Sequence, residues 1–288
     1  MSMKDELYVD WGNVPSARIA EVFDTYGAVV IKGLLENELL ESFRSSLLRV
    51  MSCRLQTLGQ TVRENTDLDS LYNQLCAIDP KHGKEIIIAA RDLPDFYRVI
   101  GSPALNLAIS NILPDTLFQV VHDICLFRID PPSDHSRNFD WHSDFPYNVC
   151  SLSAVTAWAP LLPIERDMGC LKIVPASHKK IHPVNFGHDN AGGGKFSGHK
   201  VYSLYGVDEN ILDNKSIEVV DVNPGDVLLL HSCLLHCSGI NLSQSKSRWV
   251  VNLRFGDLLD PQVIERDWVV VRDKNPYIFG DFYPSLVH

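Results

Sequence analysis

Residues 224–241, PGDVLLLHSCLLHCSGIN, decide how this chain is read. Pro224-Gly225-Asp226 is a turn, because proline and glycine supply the backbone angles that reverse a chain. It delivers the apolar run Asp226–His231, and a second run, Leu234–Ser238, follows almost at once. Both are too short for an ordinary globular helix, and they match strands buried in a β core. The same texture recurs at Gln119–Ile129, Ser151–Leu162, Cys170–Val174, Ile217–Val222 and Arg248–Gly256, each rich in branched or aromatic residues and bounded by turn formers. Strands in succession with no helices between them point to a sandwich or barrel and away from a doubly wound parallel sheet.

Upstream, the period changes from strand to helix. Ser16 is placed to cap a helix carrying Ile19, Val22, Phe23 and Tyr26, and Gly27 suits its C-terminal exit. Ala28–Ile31 reads as a short strand. Leu39, Leu40, Phe43, Leu47, Val50 and Met51 mark one face of a second helix. Ser102-Pro103 reads as an N-cap with proline in the first turn, opening a helix that buries Leu105, Ile109 and Ile112 and ends at Pro114. The expected organisation is one domain over 1–288, with helical support in 1–118, a β core in about 119–257 and a C-terminal extension in 258–288.

Composition narrows the function classes. The chain has 288 residues, 45% of them hydrophobic and 22% charged, which is enough apolar material for a large core. Its net charge of −10 repels a polyphosphate backbone, so nucleic acid is not an expected partner. No apolar run reaches the length of a membrane span, and the first residues carry Asp5, Glu6 and Asp10 in place of an apolar leader core. The seven cysteines contain no CxxC pair and do not form a disulfide framework. The expected setting is the cytoplasm.

The candidate chemistry begins at His142-Ser143-Asp144. In an extended segment, residues two apart share a face, so an imidazole and a carboxylate can meet one metal ion. His236 offers a third ligand. Two histidines and one carboxylate on a single face leave three metal positions open, the arrangement of non-haem Fe(II) oxygenases. His231 competes for that role but reads as a packed strand histidine. Arg248 opens the next strand, and Val250, Asn252 and Arg254 share its face. An arginine there can clamp a carboxylate through two charge-assisted hydrogen bonds. The segment His178–Lys200, with Gly187, Asp189, Gly193-Gly194 and Lys179, Lys180, Lys195 and Lys200, is either a solvated loop or a lid over a site for an anionic substrate.

These residues resemble the phytanoyl-CoA dioxygenase family of Fe(II)/2-oxoglutarate-dependent oxygenases. The resemblance is carried by Trp141-His142-Ser143-Asp144, Ala157-Trp158, the block Gly169–Lys179, and Pro224-Gly225-Asp226 leading to His236–Asn241 and Arg248. It covers about residues 120–257. Cys237 and Ala176 stand where the family often has glycine.

The resemblance implies a mainly β fold with helices, a double-stranded β-helix (jelly roll) supported by N-terminal helices. It implies His142, Asp144 and His236 as iron ligands and the catalytic centre, with 2-oxoglutarate and O2 as cosubstrates. Arg248 would pair with the distal carboxylate of 2-oxoglutarate, Ser238 would add a hydrogen bond, and Trp158 would line that pocket. A further cosubstrate contact is expected between Ile124 and Arg128. Halogenating relatives have a small residue in place of the carboxylate, so Asp144 favours hydroxylation or a related oxidation, with succinate and CO2 released.

Arg254, Asn148, Phe145 and Tyr147 are the candidate substrate contacts. The expected substrate is a small anionic or amine-bearing molecule rather than a coenzyme A thioester. Two alternatives are a cupin-type metalloenzyme that uses no 2-oxoglutarate and a non-enzymatic β-sandwich binding module.

Overall fold

The computed structural model describes residues 3–132, 134, 139, 141–186, 205–207, 212, 216–219, 221–268 and 278–288. Helix α1 (Met3–Glu6) leads into strand β1 (Tyr8–Asp10), and α2 (Ser16–Tyr26) carries the chain to β2 (Ala28–Lys32). α2 buries Ile19, Val22 and Phe23, one turn apart on one face. Ser16 is its first helical residue rather than its cap; Pro15 occupies the cap position without a side-chain bond. Gly27 ends the helix at φ 74°, and its N–H donates to the Phe23 carbonyl. A side chain there would strike the His178 ring, so glycine is required on two counts.

Five helices follow: α3 (Asn37–Thr57), α4 (Leu68–Ile78), α5 (Lys81–Asp92), α6 (Pro94–Ile100) and α7 (Pro103–Ile112). α3 buries Leu40, Phe43, Leu47, Met51 and Leu55. Ser102 caps α7 by accepting the Leu105 N–H, with Pro103 in the first turn, as the sequence predicts.

Among the described residues the rest of the chain supplies ten strands and a short helix: β3 (Phe118–Val120), β4 (Leu126–Asp130), α8 (Phe145–Asn148), β5 (Val155–Pro160), β6 (Leu171–Ile173), β7 (Asn185–Phe186), β8 (Tyr205–Gly206), β9 (Ile217–Val219), β10 (Val227–His231), β11 (His236–Cys237) and β12 (Arg248–Asp257). Helices α9 (Pro261–Glu265) and α10 (Ile278–Phe282) end it. The larger sheet runs β1-β2-β10-β5-β12-β3, with β4 also paired to β12; a second sheet runs β11-β6-β9, and β7 pairs with β8. This is a jelly-roll core carrying a helical layer.

Two features differ from the sequence reading. Gln119–Ile129 is not one strand: a 3-10 turn at His122–Ile124 splits it, and the halves pair with different stretches of β12. The strand read at Ala28–Ile31 is present as β2, but the N-terminal section also holds β1, which the sequence reading does not include. β2 lies antiparallel to β10, with Leu228 opposite Val30, and β1 pairs with β2, so this section supplies two strands of the larger sheet.

The main core runs continuously from Leu7 to Phe255, and Phe43, Phe127, Tyr72 and Trp249 join the helices to β4 and β12. A smaller cluster joins Phe145, Val149, Val184 and Cys233 to Phe279, which brings α10 against α8. All seven cysteines are free. Among the described residues, no helix is long and apolar enough to cross a membrane.

Candidate active site

The second sheet sets the two imidazoles side by side. His142 and His236 form an isolated antiparallel bridge, each backbone N–H donating to the other's carbonyl at 3.0 and 2.9 Å. Partners in such a bridge project their side chains to the same face, and the ring centroids lie 4.3 Å apart. Asp144 arrives from the same side, two residues on, at the start of α8. The Nε2 atoms of His142 and His236 lie 3.8 and 4.0 Å from Asp144 Oδ1. One ligand atom from each of the three residues falls within 4.8 Å of the others, and all three residues are buried. His236 Nδ1 donates to the Leu234 carbonyl at 2.9 Å, which leaves its Nε2 lone pair turned to this point. Two imidazole nitrogens and one carboxylate oxygen converge here, and among the described residues no further His, Cys, Asp or Glu joins the group, which suits Fe(II) with an open face.

The second oxygen of Asp144 is engaged elsewhere. Oδ2 accepts from the Thr156 hydroxyl at 2.5 Å and pairs with Arg254 Nη2 at 3.2 Å. Burial opposes ionisation of this carboxyl, but Arg254, the two imidazoles and the Thr156 hydroxyl outweigh it and hold the acid well below the usual carboxylate range. Asp144 is therefore an anion at neutral pH.

Beside His142, Asp144 and His236 lies a cavity lined also by Arg128, Phe139, Thr156, Trp158, Ser238, Asn252 and Arg254, with Leu171 and Leu230 as its aliphatic lining. Strand register explains the grouping. Arg254 stands opposite Thr156 and Asn252 opposite Trp158 on β12 and β5, so these alternate residues share one face. Phe139 stacks on the His142 ring at 5.0 Å, and the Arg128 guanidinium lies 4.6 Å over Phe139.

Of the residues singled out in the sequence, His142, Asp144, His236, Trp158, Ser238 and Arg254 meet at this cavity. Arg248 does not line it. Arg248 is 2% exposed; its Nε and Nη2 bond Asp130 Oδ2 at 3.2 and 2.9 Å, and its Nη1 donates to the Gly169 carbonyl. The reason is register: Arg248 faces Asp130 across β12 and β4, four residues before the cavity begins at Asn252.

Phe145 is fully buried against Phe279 and Tyr283, Asn148 is buried in α8, and Tyr147 meets the His142 ring edge-on at 5.8 Å. None of these three lines the cavity. His231 lies outside the ligand set: its Nδ1 accepts the Cys233 N–H, and its ring packs on Phe23 and His178. Ala176 has φ 62°, the left-handed backbone that glycine favours, in keeping with glycine in related sequences. Gly187, Asp189, Gly193, Gly194, Lys195 and Lys200 of the segment read as loop or lid lie outside the described residues. Lys179 pairs with Asp24 at 3.0 Å.

Arg128, Phe139, Thr156, Asn252 and Asp130 are the site residues that the motifs do not name individually. Arg128 ends the stretch in which a cosubstrate contact is expected, and Asn252 lies in the alternation between Arg248 and Arg254. Thr156 precedes Trp158 by two on the same strand face, which is a usable signal; Phe139 and Asp130 carry none.

A jelly roll with two histidines and a carboxylate converging beside a partly basic cavity defines the class of 2-oxoglutarate-dependent non-haem iron oxygenases. The family model of phytanoyl-CoA dioxygenase (PhyH) matches residues 23–250. The peroxisomal phytanoyl-CoA dioxygenase of Bos taurus is 24% identical over 258 residues, 87% of this chain and 71% of its own. The 1-deoxypentalenic acid 11-beta-hydroxylase of Streptomyces arenae is 26% identical over 228 residues, 77% of this chain and 73% of its own. Among solved structures, the non-heme alpha-ketoglutarate-dependent epimerase SnoN from nogalamycin biosynthesis superposes with a TM-score of 0.53 at 17% identity, covering 84% of this chain and 83% of SnoN. AviO1 from Streptomyces viridochromogenes gives 0.52 at 15% identity, covering 87% and 98%. The chain belongs to the phytanoyl-CoA dioxygenase family. It is a 2-oxoglutarate-dependent dioxygenase by class, which sets aside the cupin-type and non-enzymatic alternatives.

Proposed function

We propose that the enzyme hydroxylates an aliphatic carbon of a small molecule, with release of succinate and CO2. In this reading His142, Asp144 and His236 hold Fe(II), and the chain works as one domain in the cytoplasm. The observation that carries the proposal is the convergence of two Nε2 atoms and one carboxylate oxygen beside an otherwise open cavity. Iron with 2-oxoglutarate supplies the oxidising power for attack on an unactivated C–H bond, using O2.

The chain's own residues bind, orient and exclude water. Trp158, Leu171 and Leu230 give the cavity apolar surface, and Ser238 and Asn252 offer hydrogen bonds. Arg128 and Arg248 share the single carboxylate of Asp130, so that wall keeps a net positive charge. It suits the distal carboxylate of the cosubstrate, with Arg128 at the cavity surface and Arg248 behind it. Phe145 and Tyr147 act by holding α8 and the His142 ring. The basic wall also favours a substrate with an anionic group.

The test is anaerobic addition of Fe(II) and then 2-oxoglutarate. A visible charge-transfer band is expected in the wild type, lost in His236→Ala and Asp144→Ala. A substrate panel scored by succinate release follows; stimulation by acyl-CoA thioesters alone would overturn the substrate class proposed here.

A further inference from the structure

Arg254 lines the cavity, yet its guanidinium already has partners, and they define a role apart from the substrate. We propose that Arg254, together with Thr156, is a positioning residue that confines Asp144 to one ligating oxygen, Oδ1, and so keeps the remaining metal positions open. The inference rests on the iron-site reading above.

The two oxygens of Asp144 face different surroundings. Oδ1 is the atom nearest both histidine Nε2 atoms, at 3.8 and 4.0 Å. Oδ2 is held by the Thr156 hydroxyl at 2.5 Å and by Arg254 Nη2 at 3.2 Å. The hydroxyl hydrogen bond and the ion pair both fall on Oδ2, so the two oxygens of Asp144 are not equivalent.

The clamp is itself held in place. Arg254 Nη1 donates to Asn252 Oδ1 at 2.5 Å, so the planar guanidinium spans Asn252 and Asp144. Arg254 and Thr156 are direct partners across β12 and β5. Both side chains thus project from paired strands of the larger sheet, which is stiffer than a loop. A carboxylate torsion is otherwise soft and roughly two-fold. Released from Oδ2, the side chain can turn and present both oxygens to a metal ion, taking a position that cosubstrate or O2 requires. Lysine would carry the charge without the fork that reaches both partners.

The experiment uses the full chain, loaded anaerobically with Co(II) in place of iron, as wild type, Arg254→Gln, Arg254→Lys and Thr156→Val. The readouts are the Co(II) absorption spectrum before any cosubstrate is added, and the affinity for 2-oxoglutarate. Outer-shell partners of metal ligands typically govern affinity by about 10–100-fold. Arg254→Gln is expected to alter the Co(II) spectrum and to weaken 2-oxoglutarate binding by about that factor. Arg254→Lys should recover part of the loss, and Thr156→Val should shift both readouts in the same direction by less.

A wild-type spectrum and 2-oxoglutarate affinity in Arg254→Gln overturn the inference. An unchanged Co(II) spectrum with weakened 2-oxoglutarate binding would also overturn it, making Arg254 a direct contact of the cosubstrate instead. A wild-type protein that gives no Co(II) spectrum would remove the iron-site reading itself, a failure visible before any variant is compared.

Discussion

Asp130→Ala probes the buried charge network at the start of β12. Asp130 Oδ2 accepts from Arg248 Nε and Nη2, and Oδ1 accepts from Arg128 Nη2 at 2.9 Å. Its side chain is 6% exposed and that of Arg248 is 2% exposed. Removing the carboxylate leaves the Arg248 guanidinium deep in the protein with only carbonyl acceptors at Met168, Gly169 and Gly239. Breaking a buried pair from one side costs about 3–5 kcal/mol, because the surviving charge stays desolvated. With an unfolding entropy of about 2.1 cal/mol/K per residue, a chain of 288 residues loses roughly 5–8 °C in Tm.

Calorimetry and urea unfolding at pH 7 measure this loss, and Asp130→Asn, which keeps an acceptor oxygen, should lose less. Acid should remove the same stabilisation. Burial opposes ionisation of Asp130, but Arg128 and Arg248 prevail and hold its carboxyl below the usual range. The stabilisation is therefore present above the unfolded carboxylate pKa of about 4 and is lost as pH falls through the lower folded value. Wild type and Asp130→Asn should converge in strong acid. A Tm loss under about 2 °C for Asp130→Ala, or a gap that persists in acid, refutes the reasoning.

Three further outcomes are expected. Burial pushes the His231 imidazole down to about 4, so between the ordinary 6.5 and that value the unfolded chain takes up a proton that the folded one refuses. Stability should fall on going from pH 7 to pH 4 by as much as ~3 kcal/mol, and urea midpoints of His231→Gln should show a shallower slope. Gly169 has φ 79°, and a Cβ there would run into the backbone of Gly239 and Ile240. Gly169→Ala should cost at least about 1–3 kcal/mol in thermal melts and shift the carbonyl that Arg248 uses; a wild-type melt would count against this close approach. Burial pushes the Cys150 and Cys233 thiols up to about 12 and about 11, while Cys53 is exposed. A native thiol titration should show Cys53 as the fast group, lost in Cys53→Ser, with half-buried Cys76 slower and the five buried thiols appearing on unfolding.

What the sequence by itself determined follows from local rules. Apolar runs such as Val227–Leu230 become strands because their length and branching suit a buried pleat, and Ser102-Pro103 starts α7 because capping needs only neighbouring atoms. The candidate metal site was legible in part. His142 and Asp144 lie two apart, which puts them on one face, but spacing leaves His231 and His236 both open for the third position, and the family resemblance singles out His236.

Only the tertiary structure decided where the arginines point. Arg248 and Arg254 share a strand face and look equivalent in sequence, yet one faces Asp130, 118 residues earlier, and the other faces Asp144. Those partners depend on the register of β12 against β4 and β5. Register is set by the packing of whole sheets, because a shift of one residue turns every side chain to the opposite face. The charge each arginine neutralises is therefore a property of the assembled core.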